Sequence, residues 1–284
     1  MAPSSDSKKT MTHLPESLQM LAAAQHALTH TQPTVVVRVL ATRGSSPRLA
    51  GALMLVSGAS VCGTVGGGHL EFVAIDLARS KQPMPFEKTF PLGAALGQCC
   101  GGAMTLRFEP LDANHLTELA AQCAAFKTLY LFGAGHVARA VQLAVAALPL
   151  QLRWIDSRDA VNTHQSTFPD ALPAHATTLV SEAPEYELKT AKTGDLALIM
   201  THSHALDEAI ALTALRTPQL AYIGLIGSAT KRRLFEQRWL ARGVQSQVID
   251  RLVCPVGVAV APSPHSKLPA VIAACIAAQL TQYV

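Results

Sequence analysis

Apolar and polar positions change period several times along the chain, and each change marks an element. Leu14, Leu18, Leu21, Ala22 and Leu28 recur at helical spacing and predict one amphipathic helix, which Pro33 ends. The β-branched run at 34–40 predicts a strand, and after a polar loop 52–56 predicts a second. From Leu70 the pattern turns helical through Phe72, Val73, Ile75 and Leu77. Beyond the proline-rich link 82–85 come a strand-like 86–90 and an alternating 104–108, closed by Glu109-Pro110. Residues 112–126 predict a helix joining this half to the next.

The second half alternates short buried runs with helical ones. Leu129-Tyr130-Leu131-Phe132 suits a strand covered on both faces. Val137, Val141, Ala144, Val145 and Leu148 then follow a helix until Pro149, and 151–155 forms the next strand. After a long polar loop at 157–176, 177–180 is a short strand, and 195–200 and 222–226 are buried strands. Helices carry Ile210, Leu212 and Leu215, then run through Trp239, and a last one spans 267–282. Strands alternating with helices predict an α/β fold, a doubly wound parallel sheet, preceded by a smaller α+β domain. The expected division is a frayed tail at 1–13, a first domain at 14–112, a linker helix at 113–127 and the doubly wound domain at 128–284.

Composition narrows the class. The chain has 284 residues, 49% hydrophobic and 15% charged, the profile of a well-buried globular protein. No apolar run approaches the roughly 18 to 20 residues of a membrane span. The first ten residues lack an apolar signal core, so a cytoplasmic location is expected. A net charge of +4, dispersed along the chain, argues little for nucleic acid. The six cysteines include no C-x-x-C pair, which points to reduced thiols and away from structural zinc.

Six stretches carry candidate chemistry. Gly133-Ala134-Gly135-His136-Val137-Ala138 matches the dinucleotide-binding turn between strand and helix, and Asp156 follows Gly133 by the spacing at which an acidic side chain meets a ribose hydroxyl. Gly66-Gly67-Gly68 opens a helix, where bare N–H groups cradle an anion; Glu71 in the first turn also suits simple dipole capping. The loop 41–48 holds Arg43, Ser45, Ser46 and Arg48, either a grip for anions or a solvated turn. Cys99-Cys100, among glycines, reads either as soft reactive donors or as two small apolar groups. At the carboxyl end of a strand lie Thr201, His202, Ser203 and His204, where crevice lining and capping outweigh a metal site that lacks a third ligand. Lys231 and Arg232 follow the Gly227-Ser228 turn, an unfavourable place for cations at a helix start, so an anionic partner is expected. No nucleophile and base pair emerges from these residues.

Together the motifs Arg43-Gly44-Ser45-Ser46-Pro47-Arg48, Gly63-Thr64-Val65-Gly66-Gly67-Gly68-His69-Leu70-Glu71, Leu96-Gly97-Gln98-Cys99-Cys100-Gly101-Gly102, Phe132-Gly133-Ala134-Gly135-His136-Val137-Ala138, Met200-Thr201-His202 and Tyr222-Ile223-Gly224-Leu225-Ile226-Gly227-Ser228 resemble the XdhC/CoxI family of accessory proteins to xanthine dehydrogenase and related molybdenum hydroxylases. The resemblance implies a small N-terminal domain with a C-terminal Rossmann domain, often in a dimer. It implies a molybdenum cofactor (molybdopterin) chaperone, which holds the cofactor, supports sulfuration by a cysteine desulfurase and delivers it to the apo-enzyme. The candidate cofactor-binding set is Arg43, Ser45, Ser46, Gly66, Gly67, Gly68, Cys99, Cys100, Gly133, Gly135, His136, Asp156, His202, Gly227, Ser228 and Lys231, with Cys99 and Cys100 as molybdenum or sulfido contacts and a nucleotide as a further occupant of the Rossmann crevice. One departure is the segment 255–266, which lacks the family's acidic pair. The competing expectation, motivated by 133–156 alone, is an NAD(P)-dependent oxidoreductase.

Overall fold

The computed structural model describes residues 14–58, 60–80, 82–92, 102–158, 167–169, 172–173, 175–257 and 266–284. The tail 1–13, the Cys99-Cys100 pair, much of the loop expected at 157–176 and the divergent stretch 258–265 lie outside them. The chain divides into two compact units, which meet in sequence between Ala125 and Phe126.

In the first unit a helix, α1 (Glu16–Thr29), precedes β1 (Thr34–Arg43), β2 (Leu53–Ser57) and β3 (Val61–Gly63). Helix α2 (Gly68–Arg79), β4 (Phe86–Leu92), β5 (Gly102–Pro110) and α3 (Ala113–Ala124) complete it. The strands form one antiparallel sheet in the order β3-β2-β1-β5-β4. Alternation divides β1 between two cores. Val37 and Val39 join Met54, Met104 and Phe108 under Leu70, Ala74 and Ala78 of α2, while Val36 joins Leu53 and Leu55 under Met20 and Ala24 of α1 and Leu119 of α3. Of the stretch 113–127 expected as a linker helix, residues 113–125 belong to this unit: α3 caps on Asp112, whose carboxylate accepts from the Asn114 and His115 N–H groups at 2.9 and 3.0 Å. Arg38 of β1 holds it down with a fork onto Glu118 at 2.8 and 2.6 Å.

The second unit carries β6 (Lys127–Phe132), α4 (His136–Val145), β7 (Leu150–Asp156), β8 (Ala176–Val180) and a 3-10 turn (Pro184–Thr190). It continues with β9 (Leu196–Ile199), α5 (His204–Leu215), β10 (Tyr222–Leu225), α6 (Ala229–Ala241), α7 (Ser246–Ile249), β11 (Leu252–Val253) and α8 (Pro269–Leu280). All six strands are parallel, in the order β8-β7-β6-β9-β10-β11. This is the doubly wound α/β arrangement, with its switch point between β6 and β9. Both faces are covered: Leu129 and Leu131 of β6 pack with α4 and α8, and Tyr130 and Phe132 with α5 and α6. Double burial makes these strands read as continuous apolar runs. No described helix is long and apolar enough to cross a membrane.

Candidate functional site

In the first unit, separated motifs meet at one corner. A Cβ on Gly102, at the start of β5, would lie 2.4 Å from the Ser45 carbonyl oxygen and 2.5 Å from that of Arg43. A Cβ on Gly66 would lie 2.4 Å from Cγ of Pro47. The loop 43–48 thus presses on both glycines, and no larger residue fits either contact. Arg43 and Ser45 are exposed at this corner, Ser46 donates to the Arg48 carbonyl at 3.0 Å, and Arg48 pairs with Glu16. Cys99 and Cys100 precede Gly102 by a few positions, outside the described residues.

The triplet Gly66, Gly67 and Gly68 has φ of +135°, +75° and +63°, which only glycine tolerates three times running. Two of its N–H groups turn inward. Gly66 donates to Thr64 Oγ1 at 3.0 Å and Gly67 to Oε2 of Glu71 at 3.1 Å, and the Thr64 hydroxyl donates to the same Glu71 oxygen. A carboxylate from the helix itself fills the start of α2, where positive potential and bare N–H groups favour an anion.

In the second unit the turn between β6 and α4 differs. Gly133 has φ +104°, and a Cβ there would stand 2.2 Å from the Met200 carbonyl oxygen, where the backbone leaving β6 passes the end of β9. The Gly133 N–H donates to the Ile155 carbonyl and the Trp154 indole donates to the Gly133 carbonyl, both at 2.7 Å. Gly135 has φ −77°, and nothing lies within 4 Å of where its Cβ would be. Neither strain nor internal packing asks for glycine there; the empty space is what close approach of a ligand needs. Ala138 is fully buried, and His136 is exposed on the first residue of α4.

Asp156 ends β7 beside this turn, only 2% exposed. Its Oδ2 accepts the Ala134 N–H at 2.5 Å and Arg158 Nη2 at 2.8 Å; its Oδ1 accepts the Arg158 backbone N–H at 2.8 Å and Nε at 2.9 Å. Burial pushes this carboxyl's pKa up, but the bonds from Arg158 and Ala134 outweigh it and hold the group below the ordinary range. The residues expected to hold a dinucleotide are thus assembled, with the ribose-reading carboxylate occupied from within the chain.

At the carboxyl ends of β9 and β10, sequence reasoning saw the parts but not their partner. Lys231 reaches Asp207 Oδ2 at 2.5 Å and the Ile226 carbonyl at 3.1 Å, while Asp207 Oδ1 accepts the Thr201 N–H at 2.9 Å and its hydroxyl at 2.7 Å. The pair is buried, Lys231 at 10% and Asp207 at 2% side-chain exposure. The anionic partner of Lys231 is therefore Asp207, and Lys231 is committed to it. Gly227 makes room: a Cβ there would sit 2.7 Å from Cδ of Lys231. Ser228 caps α6 by accepting the Lys231 N–H at 3.2 Å, and Ser203 caps α5. Burial raises the nearby Cys254 thiol, against the pull of Lys231 and Arg232. His202 and His204 are exposed, and no three metal-binding side chains gather among the described residues.

Both units find relatives. The XdhC Rossmann domain family matches residues 129–280, and the XdhC and CoxI family matches 27–82. The uncharacterized protein YqeB of Escherichia coli (strain K12) is 27% identical over 234 residues, 79% of this chain; the chain spans only 39% of that relative's length. A Bacillus halodurans protein whose crystal structure is named as a xanthine dehydrogenase shares the fold, with a TM-score of 0.74 at 22% identity over 93% of this chain and 95% of that one. With the Rossmann match alone extending over more than half its length, the chain belongs to the XdhC family.

Proposed function

We propose that this chain is an accessory protein in the maturation of xanthine dehydrogenase or a related molybdenum hydroxylase, one that binds molybdenum cofactor, supports its sulfuration and delivers it to the apo-enzyme. Membership of the XdhC family suggests the maturation role. The observation that carries the finer reading is the corner where the loop 43–48 packs on Gly66 and Gly102, two positions beyond the Cys99-Cys100 pair. The cofactor supplies the molybdenum and dithiolene redox centre of the target enzyme. This chain's part is to hold and release it: the exposed Arg43 and Ser45 offer an N–H fork and a hydroxyl to the cofactor phosphate, and Cys99 and Cys100 offer soft thiolate donors to metal or sulfido sulfur. Sulfur itself comes from a cysteine desulfurase, and a homodimer is the form in which we expect the chain to work.

The test is direct. Protein purified from a cofactor-producing host and oxidised should release fluorescent pterin, and Arg43→Ala and Cys99→Ala should each lower the yield severalfold with unchanged melting curves. No pterin from the wild type would overturn the reading. The doubly wound strand order and the open space at Gly135 support a second reading, an NAD(P)-dependent oxidoreductase. Hydride transfer from NADH or NADPH to a panel of carbonyl or quinone acceptors, above the buffer rate, would favour it.

A further inference from the structure

We propose that Arg158 selects the ligand of the Rossmann crevice, which takes adenine nucleotides bearing a 2′-phosphate in preference to those with a free ribose diol. An acidic residue at the end of the second strand ordinarily accepts both hydroxyls of an adenosine ribose, whereas a nearby arginine accommodates a 2′-phosphate. Here both residues occupy the same corner. Asp156 is fully engaged: each of its oxygens accepts one bond from the Arg158 side chain, and each accepts a backbone N–H besides. A diol can reach the carboxylate only by displacing those charge-assisted bonds, inside a site where Asp156 is 2% exposed.

A phosphate meets different terms. The guanidinium carries five N–H donors in a planar fork, two of them spent on Asp156 here, and its side chain remains 36% exposed. An incoming phosphate shares the fork while the pair stays closed, and Arg158 and the Ala134 N–H offset the Asp156 charge that would otherwise repel it. The space above Gly135 and the start of α4 lie on the same turn as Ala134, ready for the diphosphate of the same nucleotide. The inference concerns the second unit only and stands whether or not the first unit carries molybdenum cofactor.

Calorimetric titration of the full chain with 2′,5′-ADP and with 5′-AMP, then with NADP and NAD, tests it. The wild type should bind each 2′-phosphorylated ligand at least tenfold tighter than its partner. Arg158→Ala should erase that preference, weakening 2′,5′-ADP tenfold or more while 5′-AMP holds or gains as Asp156 is released, and Arg158→Lys should keep part of it. Gly135→Val, whose added atoms enter open space, should weaken all four ligands with an unchanged melting curve. Equal or tighter binding of 5′-AMP by the wild type, a preference that survives Arg158→Ala, or no binding of any of the four at millimolar concentration would each overturn the proposal.

Discussion

The turns at 66–68 and 133–135 share a sequence signature, glycines between a strand and a helix, yet they differ in what they do with it. At the first, all three glycines need positive φ, and the N–H groups of two bond to Thr64 and Glu71 of the same unit. At the second, Gly133 is demanded by the Met200 carbonyl pressing on it, whereas Gly135 is demanded by nothing inside the chain. A glycine-rich helix start is a site for an outside anion only where no carboxylate of its own reaches the nest. Glu71 reaches one; at the other, the nearest carboxylate, Asp156, bonds Ala134 and leaves the space at Gly135 open.

Substitutions that separate these roles sharpen the contrast. The largest effect belongs to Gly133→Val, which forces a side chain into backbone at the switch point. We expect a loss above ~4 kcal/mol, or failure to fold, read by denaturant unfolding of the purified chain. Lys231→Met should follow, costing about 3 to 5 kcal/mol because it strands a buried carboxylate, and Lys231→Met combined with Asp207→Asn should recover much of that. Glu71→Ala removes a cap and should cost about 1 kcal/mol, while freeing the Gly67 N–H so that phosphate or sulfate raises the melting temperature of the variant more than that of the wild type. Gly135→Val is the counterpart to Gly133→Val: its stability should stay within about 0.5 kcal/mol of wild type, since φ is ordinary and the space is empty.

The smallest expected effect is a pH dependence. The Asp156 carboxyl is held below its ordinary value in the fold, so the stability it contributes is complete above the unfolded pKa of about 3.9 and is lost as pH falls through the folded value. Arg158→Ala should flatten that acid limb, measured as melting temperature from pH 6 to pH 3, by lowering the value at pH 6 while leaving that at pH 3 nearly unchanged.

How much of this was legible in the sequence follows from physical range. Doubly buried strands such as β6 and β9 announce themselves as apolar runs, and the helices α1 and α4 by their period. Strand β11 has two residues and exists through its pairing with β10, Ile223 to Leu252 and Gly224 to Val253, so it has no period to detect. The same holds for α7 and the 3-10 turn at Pro184–Thr190. Within the sites, Lys231 at a helix start signalled that it wanted an anion, but its partner Asp207 lies 24 positions away on another helix, brought near by the register of β9 and β10. Arg158, by contrast, was within reach: an arginine two residues after the ribose-reading acid is a local signal, and its weight is seen only once both oxygens of Asp156 are found engaged.

The proposed chaperone role requires transfer of cofactor, so its most direct test is reconstitution. Apo-xanthine dehydrogenase would be mixed with the full chain carrying sulfurated molybdenum cofactor, beside the same amount of free cofactor and beside loaded Arg43→Ala, Cys99→Ala and Cys100→Ala variants. We expect the wild-type chain to restore dehydrogenase activity faster and to a higher yield than free cofactor, with the variants falling toward the free-cofactor level. Restoration no better than free cofactor, or equal restoration by all the variants, would contradict the chaperone role of this corner.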